Sequence, residues 1–248
     1  MIITDPGFYA VAVPAVLLMG ISKSGFGAGF GALAVPLMAI AIPVPQAAAI
    51  LLPLLAIMDA LGLKALWRER DAELLKLLLP AGLLGTLIGF ALFTLLSART
   101  VAALVGAMTL VFLAIRTLWP PRADGAPPPR WWGRVLATTS GFTSFVAHAG
   151  GPPIGFYVLP LKLPPIRFAA TMAVFFAAVN LAKWLPYAWL GLIDLQNMGT
   201  SALLAPVAPL GVWLGVRIVK VIPQALFYRL FSLGLLLTGC KLLWDGLR

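Results

Sequence analysis

The chain is poor in the residues from which metal and redox centres are built: its 248 residues include one cysteine, Cys240, and one histidine, His148. A single cysteine excludes an intramolecular disulfide, a cysteine-based metal site and a CxxC redox pair. Cys240 lies in an apolar stretch and reads as a packing residue. A histidine with no second His or Cys beside it makes no metal constellation. Charge is also scarce. Charged residues are 10% of the chain, against about 25% in soluble domains. Acidic residues number 8 against 18 Lys and Arg, a formal net charge of +10. The basic residues sit mostly between hydrophobic runs and form no basic, aromatic-interleaved face, which argues against a nucleic-acid partner. No ATP-binding P-loop occurs, so nucleotide-driven work is not expected. The first residues, M-I-I-T-D-P, have neither a basic region nor a small-residue cleavage site, and no cleaved signal peptide is expected.

What is abundant is apolar: 61% of residues, with a mean hydropathy of +1.01. Several runs exceed the roughly 18 apolar residues that argue for a membrane span. Leu74–Leu96 and Val101–Trp119 are the clearest, followed by Phe168–Ile193, Met198–Val216, Ala225–Trp244 and, despite Asp59, Ala47–Leu66. The sequence therefore predicts an all-α, multi-pass integral membrane protein. Trp131, Trp132, Trp184, Trp189 and Trp244 read as anchors at the membrane interfaces.

Two stretches break this pattern. Gly20 to Pro45 and Gly141 to Pro164 are rich in glycine and proline at membrane depth. Irregular backbone in hydrocarbon leaves polar groups unsatisfied, so it survives only inside protein or beside a wet cavity. Such breaks in corresponding positions of two halves point to a transporter's binding site.

The proline-rich stretch from Pro120 to Arg134 splits the chain almost in half. Gly20, Gly29, Pro43, Ala48, Ala49 and Asp59 recur, 121 positions on, as Gly141, Gly150, Pro164, Ala169, Ala170 and Asn180. Later the offset drifts to 125, where R-T-L-W ending at Trp119 matches K-L-L-W ending at Trp244. We read a first transmembrane repeat over 1–119, a cytoplasmic linker over 120–133 and a second repeat over 134–248. The segments expected are 8–22, 32–43, 46–67, 73–96 and 99–119, then 134–147, 152–162, 167–191, 197–218 and 224–244. The first two of each set are too short to cross a core of about 30 Å, so each pair reads as a re-entrant or kinked hairpin followed by three spans. Lys64, Arg68, Arg70 and Lys76 after the third segment, and Arg116, Arg122, Arg130 and Arg134 around the linker, mark the cytoplasmic side. Lys162, Arg167, Arg217 and Lys220 then fall on that side too, leaving Arg99, Lys241 and Arg248 outside. Both termini are expected outside. An odd number of crossings per repeat makes the two repeats inverted relative to each other.

The Gly-rich break followed by a proline-bounded helix, repeated after the linker as G-F-T-S-F-V-A-H-A-G-G-P-P, resembles the sulfite exporter TauE/SafE family. The stretch P-P-I-R-F-A-A-T-M-A-V-F-F-A-A-V-N-L is similar to that family's second-repeat motif. The first break, G-F-G-A-G-F-G, lacks an uninterrupted glycine triplet, and the second has G-G-P-P instead. The resemblance spans nearly the whole chain. It implies movement of small sulfur-containing anions, such as sulfite or organosulfonates, across a bacterial inner membrane.

The candidate site residues follow from the breaks and from polar residues inside the spans. Gly25, Gly27, Gly29, Gly31, Gly150 and Gly151 permit positive φ and close approach to a ligand, and helices starting after them would aim N–H groups at an anion. Gly85, Gly89, Gly211 and Gly215 read instead as packing residues. Lys23 and Ser24 lie in the first break and His148 in the second. Lys183 lies within a span, where a central charge costs about 2.5–3.5 kcal/mol and faces a cavity or partner; snorkelling to the interface is its alternative. Asp59 and Asn180 occupy equivalent positions and would face each other across the centre. Asp59 and His148 are the candidates for proton coupling. Ser144 and His148 have the spacing of a nucleophile and base, but no Gly-x-Ser-x-Gly context or third member accompanies them, so no enzyme is expected.

The sequence thus predicts a secondary transporter, an exporter, of a small sulfur-containing anion working by alternating access between the two hairpins. The expected partners are the anion, the lipid bilayer, a coupled proton or ion and a second copy in a homodimer; no cofactor and no metal are expected. A passive anion channel and a non-transporting assembly protein are the competing readings.

Overall fold

A computed structural model describes residues 2–26, 31–93, 95, 97–118 and 127–247. The described residues form eleven α-helices and no strand: α1 (Pro6–Ile21), α2 (Ala34–Met38), α3 (Val44–Leu66), α4 (Ala72–Leu92), α5 (Ala98–Leu118), α6 (Arg130–Ala147), α7 (Gly151–Val158), α8 (Pro165–Trp189), α9 (Leu195–Leu204), α10 (Val207–Val221) and α11 (Gln224–Leu247). Among the described residues, five segments are long and apolar enough to cross a membrane: Pro6–Ser24, Pro45–Glu69, Ala72–Leu92, Pro165–Trp189 and Ala225–Leu247. The bent pair α9–α10 makes a sixth. The expected all-α membrane architecture is the one observed.

Local chemistry sets the helix ends. Asp5, Asp71 and Asp194 cap α1, α4 and α9, each side chain accepting a bond from the first turn (Gly7, Leu74 and Asn197 N–H). Pro6, Pro45, Pro152 and Pro165 sit in first turns, where the missing N–H costs nothing. One predicted span is not continuous. The segment expected as 197–218 bends by 51° between α9 and α10, because Pro206 cannot donate to the preceding turn and Pro209 follows it. The first hairpin is also less helical than expected. Its second arm is a 3-10 turn, Gly31–Leu33, followed by only five α-helical residues.

The helices pack in reciprocal pairs. Helix α1 lies on α10 and α6 on α4; α3 contacts α10 and α8 contacts α4; α3 pairs with α8, and α5 with α11. Glycines permit the closest of these contacts. A Cβ on Gly141 would lie 1.9 Å from the Gly82 carbonyl oxygen, one on Gly85 1.9 Å from the Thr138 oxygen, and one on Gly20 2.8 Å from Gly211 Cα. A Cβ on Gly89 would meet Phe145 Cβ at 2.8 Å. The packing reading of Gly85, Gly89 and Gly211 fits this geometry. Leucines such as Leu84, Leu87, Leu181, Leu185 and Leu210 are exposed, as expected of a surface facing lipid. Trp131, Trp132, Trp189 and Trp244 are exposed as well.

Candidate functional site

Both breaks end a helix with their polar residues turned inward. Helix α1 runs into a π-helical turn, Ser22–Phe26, which carries Lys23 and Ser24. Single π turns recur at functional sites because the extra residue re-aims side chains. Ser22 Oγ accepts from the Gly31 amide at 2.8 Å, tying together the two ends of the first break. In the second break α6 stops at His148, which takes the left-handed conformation with φ 50°. Its amide still donates to Ser144 O at 3.1 Å. Ser140 Oγ donates to Gly150 O at 2.6 Å and Thr143 Oγ1 to Ala149 O at 3.1 Å, so the last turns of α6 grip the chain that leaves them.

The helices after the breaks supply the opposite wall. On α8, Phe176, Asn180, Lys183 and Tyr187 follow a 4-3-4 spacing that places them on one face. Helix α3 contributes Asp59 and, one turn on, Gly62. Lys23 Nζ pairs with Asp59 Oδ1 at 2.5 Å, and Asn180 Nδ2 donates to Asp59 Oδ2 at 2.9 Å. The two positions related by the 121-residue sequence offset therefore meet. Lys183, fully buried, donates to Ser144 Oγ at 2.7 Å and Asn180 Oδ1 at 3.0 Å, and lies 3.0 Å from His148 Nδ1. His148 Nε2 is 3.0 Å from the Ala48 carbonyl. A carbonyl accepts, so Nε2 carries a proton; with Lys183 as an ammonium, Nδ1 accepts. The Asn180 amide is oriented from both ends, since a flip would set N–H against the lysine and oxygen against the carboxylate. Full burial rules out snorkelling for Lys183.

These groups surround a small cavity of about 40 Å³, lined by Met19, Ser22, Lys23, Gly31, Leu55, Ser144, His148, Gly151, Phe176 and Asn180. Lys183 supports Ser144, His148 and Asn180 from behind. Of the sequence candidates, the structure gathers Lys23, Asp59, His148, Gly151, Asn180 and Lys183 into this one network or its lining. Ser24 is buried nearby, with no hydrogen-bond partner for Oγ among the described residues; a Cβ on Gly62 would lie 3.7 Å from that oxygen. Gly25 is part of the π turn. Gly27 and Gly29 lie outside the described residues.

Two expectations about backbone need correction. The described break glycines do not supply positive φ: Gly150 has φ −72°, and His148 makes the left-handed turn. Histidine tolerates this region better than most residues. A Cβ on Gly150 would meet Ser140 O at 2.7 Å and Ser144 Cβ at 2.8 Å, so the missing side chain at this position serves contact with α6. The N-terminus of α7 also offers fewer donors than a free helix end. Pro152 and Pro153 have no N–H, and the Ile154 amide is 3.5 Å from Gly150 O, which leaves the amides of Gly150 and Gly151. In the first break the Gly31 amide is already used by Ser22.

Ser144 and His148 do not form a nucleophile–base pair. Lys183 bonds to both of them, and the other imidazole nitrogen is held by Ala48. No cluster of metal-ligating side chains occurs among the described residues. Sequence reasoning passed over Ser144 as part of the site, along with Met19, Ser22, Leu55 and Phe176. For Ser144 a signal existed. At the offset of 121 that relates Asp59 to Asn180, Ser144 is the counterpart of Lys23, and Lys183 that of Gly62.

Comparison with curated proteins and with solved structures gives no match. The family model for the sulfite exporter TauE/SafE matches residues 12–242, nearly the whole chain. With the helical membrane fold and two lysines buried beside the breaks, the chain belongs to the sulfite exporter TauE/SafE family, membrane transporters of small sulfur-containing anions such as sulfite.

Proposed function

We propose that this protein is a secondary transporter, acting as an exporter, that moves sulfite or a small organosulfonate across the bacterial inner membrane through the cavity between its two broken hairpins. The observation that carries this reading is Lys183, a fully buried lysine whose hydrogen-bond partners are a hydroxyl, an imidazole and an amide, with no carboxylate paired to it among the described residues. Its ammonium form is costly unless a counter-ion joins it. The cavity in front of its partners is where an anion would do so, with Lys23, His148, Asn180 and the Gly150 and Gly151 amides as donors. Ser144 can turn its hydroxyl toward the ligand while still accepting from Lys183.

Alternating access follows from treating residues 1–119 and 134–248 as inverted repeats with a cytoplasmic linker between them. Reciprocal packing supports this: exchanging α1, α3, α4 and α5 for α6, α8, α10 and α11 reproduces the main contacts. Rocking of one half against the other about the Asp59–Asn180 contact would open the cavity first to one side and then to the other. Asp59 and His148 remain the proton-coupling candidates. Flux of radiolabelled sulfite, sulfoacetate, methanesulfonate and sulfate into proteoliposomes, with and without a pH gradient, tests the reading. Saturable movement of at least one sulfur anion is expected. Movement of a cation or neutral solute with no sulfur anion would overturn it.

A further inference from the structure

Charge is divided unequally between the halves of the polar network. Lys23 and Asp59 cancel, and both carboxylate oxygens are engaged, Oδ1 by Lys23 and Oδ2 by Asn180. Lys183 gives its N–H bonds to a hydroxyl, an imidazole nitrogen and an amide oxygen, and no carboxylate pairs with it among the described residues. Once the pair is protonated, Lys183 and His148 carry one positive charge whether the shared proton sits on the amine or on Nδ1. The remaining titratable group at this wall, Tyr187, donates its hydroxyl to Phe145 O at 2.6 Å and adds no charge. With Lys183 protonated, as an entering anion would hold it, the site as a whole has one uncompensated positive charge. Its origin is visible in the repeat, since the second half has Asn180 where the first has Asp59, and Lys183 where the first has Gly62.

Resting on the reading of this cavity as an anion site, we propose that it selects singly charged oxyanions, sulfonates and hydrogensulfite, over dianions such as sulfate. A monoanion brings the site to neutrality. A dianion of the same size leaves a net negative charge in a water-poor enclosure and adds repulsion from Asp59, whose ionised oxygens only accept and offer an anion no donor. Selectivity of this kind comes from an element that penalises the wrong ligand as much as from contacts to the right one.

Methanesulfonate and sulfate are close in size and both tetrahedral at sulfur, and they differ by one charge. Their uptake and mutual competition in proteoliposomes, at one pH and one ionic strength, isolate that variable. Wild type should favour methanesulfonate by about tenfold or more. The Asp59→Asn variant adds one positive charge and should move the ratio toward sulfate by at least about threefold. Equal or better handling of sulfate by wild type overturns the proposal, as does an unchanged ratio in a monodisperse Asp59→Asn protein. The wild-type comparison decides the matter even where that variant does not fold. If no sulfur oxyanion of either charge is bound or moved, the anion-site reading itself fails, which is a different result from failed discrimination between the two.

Discussion

Replacing Lys183 with methionine separates what this residue does for the fold from what it does for the ligand. Methionine keeps the unbranched stem and much of the volume, so packing against α6 and α3 is little disturbed. The charge and its donors disappear. For folding, two effects oppose each other. Ser144 Oγ, His148 Nδ1 and Asn180 Oδ1 lose their donor, at about 1–3 kcal/mol for each acceptor that finds no other. Removing an uncompensated buried ammonium returns a penalty of several kcal/mol. The melting temperature in detergent should therefore shift little. For the anion nothing offsets the loss. An anion held by Ser144 or Asn180 lies about 6 Å from the ammonium, and at an effective dielectric constant of about 20 a unit charge at that distance contributes about 3 kcal/mol of attraction. Removing one partner of a buried charge pair costs roughly 2–5 kcal/mol in binding, at least about thirtyfold in Kd. Sulfite or methanesulfonate binding, measured by isothermal calorimetry on the purified protein and by uptake in proteoliposomes, reads this out. A folded Lys183→Met protein with affinity within about threefold of wild type would refute the electrostatic role assigned to Lys183.

Three further outcomes follow from the same geometry. Lys23→Met strands Asp59 as a buried charge and should destabilise the protein by about 3–5 kcal/mol, while the Lys23→Met/Asp59→Asn double variant should recover most of the loss; thermal unfolding of the four proteins in the cycle measures the coupling. Gly141→Ala forces a methyl group against the Gly82 carbonyl, where 1.9 Å is available, and should cost at least about 1–3 kcal/mol. Gly62→Ala, with 3.7 Å to the nearest atom, should be close to neutral in the same assay. Topology is tested by single cysteines in a Cys240→Ser background: Ser97→Cys should react with an impermeant maleimide from the outside and Arg68→Cys only from the cytoplasm.

Much of the architecture was legible because membrane insertion leaves a coarse signal. Long apolar runs separated by charged loops place α3, α4, α8 and α11 within a few residues of their observed ends. The bend at Pro206 was not read, since a proline inside an apolar run is compatible with a kinked span as well as a broken one. In the site, the 121-residue offset singled out Asp59 and Asn180 as a pair, because a two-fold relation between repeats would set equivalent positions face to face. The same offset pairs Ser144 with Lys23 and Gly62 with Lys183, but serine and glycine in an apolar segment look like packing residues until a buried ammonium is seen beside them. The roles of Gly150, Pro152 and Pro153 were hidden for another reason. A glycine-proline break says that the backbone is irregular, and only the contacts with Ser140 and Ser144 say which side of it faces protein.

Counterflow tests the central claim, alternating-access transport of a small sulfur anion, most directly. Proteoliposomes loaded with unlabelled sulfite and diluted into trace radiolabelled sulfite should accumulate label transiently above its equilibrium level, because each return of the site is driven by the internal substrate. Label that only equilibrates, at a rate indifferent to internal sulfite, would mean a passive channel and would contradict the account.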